Sequence, residues 1–200
     1  VKTNLFHGVF SRAASFLNQY FDSKTLEPFL HSWFSTWAAR QVSKENCDVV
    51  YAFSGVCEEL FKALAAPTVI KILVRGSAHI RAQHQLLSEE EKRAGVMLER
   101  PSRWMIEREE SEYRLANRIV VLSTFAHNSF IKQGVDPNKL QLLPLGVQTS
   151  MFRPAKTVIQ DRCARIAAGK PLSILMVGAF SFRKGILDLC KSFNPSSRNF

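Results

Sequence analysis

The stretch "DVVYAFSGVCEELFKALAAPTVIKILVRGS", residues 48–77, decides the fold. "DVVYAFSG" is a short apolar, β-branched and aromatic run that stops at a Ser-Gly turn. "VCEELFKALAA" then has the spacing of a helix, and "TVIKILVRGS" is a second apolar run that again closes on glycine. Two strands joined through a helix are parallel, because a crossover of that length returns the chain in the same direction.

The alternation continues downstream. A charged helical region runs from about Ile80 through "LLSEEEKRAG", and "SRWMIEREESEYRLAN" follows as a helix with acidic residues early in it, where the helix dipole favours them. "RIVVLS" is the third strand, "TFAHNSFIKQG" a helix closed by Gly134, "LQLLPLG" the fourth strand and "SILMVG" the fifth. Repeated strand–helix units predict an α/β fold: a Rossmann-like, doubly wound parallel sheet with helices on both faces. The segment "VQTSMFRPAKTVIQDRCARIAAGKP" breaks the rhythm with prolines and cations. A domain boundary is placed within it, giving an N-terminal domain over 1–168 and the first strand–turn–helix of a second over 169–200.

Upstream, "FHGVFSRAASFLNQYF" spaces Phe6, Val9, Phe10, Ala13, Phe16, Leu17 and Tyr20 three and four apart, the pattern of an amphipathic helix. "LEPFLHSWFSTWAARQVSK", starting near Pro28, is a second. Two readings stand: the helices pack on the core, or Lys2, Arg12 and the aromatics lay them on a membrane surface.

The 200 residues, 46% of them apolar, suffice for one full domain and part of another. No apolar run approaches the roughly 20 residues of a membrane span, so a soluble chain is expected. Lys and Arg outnumber Asp and Glu by 27 to 17, a net charge of +10 that favours anionic partners: nucleotides, nucleic acid or an acidic membrane surface. Cys47, Cys57, Cys163 and Cys190 form no CxxC pair, and free thiols in a reducing cytoplasm are expected. HExxH, GxSxG, GxxxxGK[ST] and GxGxxG are absent. His7, His31, His79, His84 and His127 do not pair at metal-ligand spacing, which removes support for hydrolase, Walker-type and zinc chemistry.

Ligands of open α/β sheets bind outside the carboxyl ends of the strands. The residues there are Ser54 and Gly55, Gly76, Ser77 and His79, Ser123 and Thr124, Gly146, and Gly178 to Gly185. His79 is either structural or catalytic, and Ser123 either a helix N-cap or a ligand contact. Arg183 and Lys184 oppose the dipole of the helix they precede unless an anion lies between them and the glycine turn.

The run "EREESEYRLANRIVVLSTFAHNSFIKQGVDPNKLQLLPLGVQTSMFRP", followed by "ILMVGAFSFRKGILDL", resembles the retaining glycosyltransferases of family 4, which have the GT-B fold. The matching positions are Glu112, Ala116, Ser123, Phe125, Phe130, Gly134, Pro144, Gly146, Val147, Phe152, Pro154, Gly178, Lys184 and Gly185, over about residues 107–190. The upstream "RGSAHIRAQHQLLSEEEKR" looks like a subgroup of the same family. The resemblance implies transfer of a sugar from a nucleotide diphosphate sugar to a glycan or lipid-linked acceptor, with retention of configuration. It implies no metal or other cofactor, and its lipid-linked acceptors are compatible with peripheral contact at the inner face of the membrane in a cytoplasmic protein; no stacking motif such as RNP1 occurs, so no nucleic acid partner is expected.

By the same resemblance, Gly178, Arg183 and Lys184 bind the donor diphosphate and His79 lies close to the donor sugar as the catalytic candidate. Ser54, Gly55, Gly76, Ser77, Ser123 and Gly146 line the strand-end pocket. Ala179 stands where many members carry a second arginine, which leaves that charge to Arg183; Asn117 and Gln148 replace common aspartates. Neither the family's paired glutamates eight positions apart nor its N-terminal glycine-rich loop occurs. The chain is therefore expected to be a partial GT-B fold, a fragment inactive by itself. The competing expectation is a non-catalytic basic Rossmann-like module on an anionic membrane surface or nucleic acid.

Overall fold

The computed structural model describes residues 26–64 and 68–193, together with Gly8. Apart from Gly8, the helix expected over residues 6–20 lies outside the described residues. The chain divides into two compact units, Val1–Pro144 and Leu145–Phe200. The sequence boundary at 168/169 and this division differ in where they assign residues 145–168.

The first unit is an open, all-parallel four-stranded sheet flanked by helices, as in Rossmann-like folds. Its strands are β1 (Val49–Phe53), β2 (Ile70–Arg75), β3 (Arg118–Val121) and β4 (Leu140–Leu142), paired in sequence order. Val49 is opposite Ile70, Ile72 opposite Arg118, and Ile119 opposite Leu140. The helices are α1 (Glu27–Val42), α2 (Glu58–Ala63), α3 (Ile80–Ala94), α4 (Arg103–Leu115) and α5 (Thr124–Lys132). All were expected from the sequence, with shorter bounds for several elements.

The strands alternate faces with period two. Val50, Leu73, Ile119 and Val121 point into the core, where they meet Leu60 and Phe61 of α2, Met105 and Tyr113 of α4, and Ala126 and Phe130 of α5. On the other face of β1, an edge strand among the described residues, Val49, Tyr51 and Phe53 are exposed.

Local signals set the helix ends. Ser102 Oγ accepts from the Met105 N–H at 3.0 Å and so starts α4; the acidic residues expected early in this helix fall beyond its first turn. α3 ends at Gly95, whose φ of 69° is the left-handed conformation glycine adopts without steric cost. Asn117 fixes the start of β3 against β2: its Oδ1 accepts from the Lys71 N–H at 2.8 Å and its N–H donates to the Lys71 carbonyl at 2.9 Å.

The second unit contains α6 (Lys156–Ala167) and α7 (Ile186–Phe193), with 3-10 turns at Thr149–Met151 and Phe182–Lys184. The fifth strand expected from "SILMVG" is not formed, because residues 171–177 have no regular structure. A strand requires a neighbour for its N–H and C=O groups, and no other strand occurs among the described residues of this unit. Leu172, Leu175 and Val177, apolar enough for a strand, are consequently exposed.

Phe130 is fully buried in the centre of the core. Phe130→Ala is expected to destabilise the first unit by about 3–5 kcal/mol, measured as a lower urea midpoint at unchanged slope.

Candidate functional site

Parallel pairing aligns the carboxyl ends of the first three strands. Phe53 is opposite Val74 and Arg75 opposite Val121, so Ser54, Gly55, Gly76, Ser77 and Ser123 all follow the same edge of the sheet. The structure thus gathers the sequence candidates of the first unit at one edge, although their side chains are engaged to different degrees. Ser123 Oγ accepts from the Ala126 N–H at 3.1 Å as the N-cap of α5. Gly76 is exposed and Ser77 half-buried.

Gly55 is buried and held from several directions. Its φ of 87° lies in the left-handed region, and its N–H donates to Glu112 Oε2 at 2.5 Å. The Cys57 N–H donates to Glu112 Oε1 at 2.8 Å, so one carboxylate of α4 takes both amides of the β1 turn. The Gly55 carbonyl accepts from Arg108 Nε at 2.8 Å and lies 2.7 Å from His31 Nδ1. Arg108 also grips Glu59 of α2 in a bidentate pair, Nη2 to Oε2 at 2.6 Å and Nη1 to Oε1 at 2.9 Å. The Trp104 ring centroid lies 5.1 Å from its guanidinium carbon.

Burial and charge act on these groups in opposite directions. Burial pushes Glu112 up to about 7, against the two N–H donors and Arg108. It also raises Glu109, which accepts from the Tyr113 hydroxyl at 2.6 Å and lies 3.0 Å from Arg75 Nε, an ion pair without hydrogen-bond alignment. Burial, the largest single influence, would raise Glu59 as well, but the Arg108 fork, its own backbone N–H, the Ser35 hydroxyl and the Arg108 charge together outweigh it and hold it at about 2. The Cys57 thiol is pushed up by burial, then by Glu112, which makes it an inert thiol. Cys163 and Cys190 are exposed and free.

His79 is 2% exposed and caps α3. Its Nδ1 accepts from the Arg81 N–H at 3.2 Å, and its backbone N–H donates to Ser129 Oγ at 2.8 Å. Its ring centroid lies 5.0 Å from those of both Tyr113 and Phe130. Burial lowers its pKa to about 4, with Arg81 and Arg75 adding to the shift and Glu110 opposing it. At neutral pH it is a neutral imidazole with its proton on Nε2, able to donate a hydrogen bond there.

Gly146, Gly178, Arg183 and Lys184 belong to the second unit. Gly178 has φ 145° and Gly185 φ 77°. Between them Ser181 leads into the 3-10 turn Phe182–Lys184, and both Arg183 and Lys184 are exposed. α7 starts only after Gly185, so the two cations precede the helix rather than occupying its first turn. Asp188 occupies that turn instead, with the sign the dipole prefers.

Arg108, Glu109 and Glu112 were missed as functional candidates in their own right. A signal for them was available: Met105, Arg108, Glu109, Glu112, Tyr113 and Ala116 follow the helical three-and-four spacing of a buried stripe, so the charged members sit at core positions. Among the described residues, no group of His, Cys, Asp and Glu could hold a metal ion, and no helix is long and apolar enough to cross a membrane.

The raised Glu112 gives a pH dependence of definite sign. Between the ordinary carboxylate range and about 7 the folded state holds a proton that the unfolded chain releases, so its contribution falls as pH rises. His79, depressed to about 4, acts oppositely, its contribution being lost as pH falls from 6.5 toward 4. The unfolding free energy of the wild type minus that of Glu112→Gln should therefore fall between pH 5 and about 7. Chemical denaturation at several pH values checks it; a flat or rising difference would refute the assignment.

Compared with known proteins, the chain matches no family model and no curated protein.

Proposed function

We propose that this chain is part of a retaining glycosyltransferase that moves a sugar from a nucleotide diphosphate sugar to a glycan or lipid-linked acceptor. The observation that supports the reading best is the turn from Gly178 to Gly185, with its two positive-φ glycines, exposed Arg183 and Lys184, and α7 directly after. Backbone amides at a helix start, together with two cations, stabilise a leaving diphosphate as its charge develops. Lys184 contributes a point charge and Arg183 a planar fork for phosphate oxygens. The α/β unit that precedes this turn is the kind of scaffold on which nucleotide chemistry is commonly built, which supports the reading at the level of fold analogy.

In this reading the first unit presents the acceptor, with Ser54, Gly55, Gly76, Ser77 and Ser123 at the open edge of the sheet, and Gly146 follows in the second unit. The α4 network holds the β1 turn in place there. His79 is the catalytic candidate carried by the resemblance; as a neutral imidazole it would act as a hydrogen-bond donor rather than as a base. The transfer needs neither a metal nor another cofactor, and peripheral contact with the inner face of a cytoplasmic membrane suits a lipid-linked acceptor.

The competing reading, a basic non-catalytic module on an anionic membrane surface or nucleic acid, draws on the net charge of +10. Calorimetric titration with UDP and GDP separates the two. The glycosyltransferase reading expects saturable binding that weakens about tenfold in Lys184→Ala and by a similar factor in Arg183→Ala. Absence of saturable binding, or wild-type affinity in both variants, would overturn it. Steeply salt-dependent binding to anionic vesicles or DNA, without nucleotide competition, would favour the basic module.

A further inference from the structure

Only half of the main chain of β1 is used by the sheet. The Ile70 N–H donates to the Asp48 carbonyl at 2.8 Å and the Ser54 N–H to the Val74 carbonyl at 3.1 Å, so the even-numbered residues of β1 bond to β2. Successive residues of a strand turn their polar groups to opposite sides. The N–H and C=O groups of Val49, Tyr51 and Phe53 therefore point away from β2, and no partner for them occurs among the described residues. The side chains of the same three residues are 48, 57 and 66% exposed on one face of the sheet.

This strip is complementary to itself. When a second copy is turned about a two-fold axis at Tyr51, the two β1 strands run antiparallel, Tyr51 faces Tyr51 of the second copy, and Val49 faces its Phe53. Each of these facing pairs is of the kind that exchanges two N–H···O bonds, because all three residues direct their polar groups outward. Their side chains then form one apolar cluster across the axis. Asp48 falls opposite Ser54, so no like charges meet along the strands.

Charge selects a second copy over a foreign partner. A chain of net charge +10 draws anionic partners to its cationic surfaces, and VVYAF offers them no charge. For two copies that repel each other elsewhere, an uncharged strip is the place of closest approach. The three exposed side chains offer roughly 400 Å² per copy, about half of what each partner contributes to a standard interface, which predicts moderate affinity.

We propose that two copies of this chain associate through β1, as an antiparallel pair about a two-fold axis at Tyr51 that joins their sheets into one. The carboxyl edges of the two sheets then point in opposite directions, so the strand-end residues of one copy do not face those of the other.

Sedimentation equilibrium of the 200-residue chain tests this. The wild type should show a monomer–dimer equilibrium with a Kd on the order of 10 µM. The dimer should tighten as salt rises, because screening weakens the repulsion between two cationic chains. Tyr51→Lys sets two ammonium groups face to face at an exposed position and should weaken association at least about tenfold. Tyr51→Glu should do the same, and an equimolar mixture of the two variants should regain the dimer. At dimerising concentrations hydrogen exchange should slow at the amides of Val49, Tyr51 and Phe53 but not at those of Val50 and Ala52, which already bond to β2. A wild type that stays monomeric up to about 500 µM overturns the proposal. So does a dimer that salt dissociates, one that Tyr51→Lys leaves at wild-type affinity, or a species that grows past the dimer with concentration. A mixture of the two variants that stays monomeric, or unchanged exchange at the odd-numbered amides, overturns it too.

Discussion

The architecture of the first unit depends on one carboxylate. Glu112 is completely buried, and beyond a loose ion pair with Arg108, whose Nε lies 3.7 Å from Oε1, its partners are main-chain groups. It spends both oxygens on backbone amides of the turn that ends β1. A turn at a strand end must leave several amides without ladder partners, and in an exposed loop water would take them. Here the turn is roofed by α4, so the helix supplies the acceptor itself. Arg108, one helical turn earlier, supplies the complementary donor to the Gly55 carbonyl and carries the restraint on to α2 through Glu59. Strand, turn and two helices are thus tied together at a point where packing alone would leave polar groups stranded.

That restraint explains why charge is tolerated in the core. Three charged side chains of α4 are at most 4% exposed, and each has a partner of fixed geometry. Removing one partner would leave another buried charge uncompensated, the costly half of the buried ion-pair balance. The cluster therefore serves the shape of the β1 turn more than net stability. The edge of the sheet where the candidate residues gather is correspondingly buried and hydrogen-bonded at Gly55 and exposed at Gly76 and Ser123.

The sequence carried the strand–helix alternation of the first unit clearly, because β-branched runs ending in Ser or Gly are local signals. It carried the cap at Ser123 as well, since a cap involves neighbours only three or four residues away. The expected strand over residues 173–178 shows the limit. Apolar composition is local, but a ladder needs a distant partner, and "SILMVG" has none among the described residues. The candidate site was legible as positions, not as environments. His79 was correctly placed after β2, but its burial between Tyr113 and Phe130 comes from helices 34 and 51 residues further along the chain. The charged stripe of α4 was disguised for the same reason: Glu and Arg on a helix normally mean solvent, and only the Gly55 turn, over fifty residues away, makes them core residues.

β1 has a consequence of another kind. Its five residues, VVYAF, are uncharged and rich in β-branched and aromatic side chains, with Tyr51 and Phe53 exposed on one face and no described strand along its outer side. Natural edge strands usually hold a lysine, a proline or a bulge that discourages an incoming chain, and this one has none. In concentrated solution such a strand is a template for like strands from other molecules. Among the described residues β1 is thus the strand most open to such addition, with the positive charge of the whole chain as the opposing force.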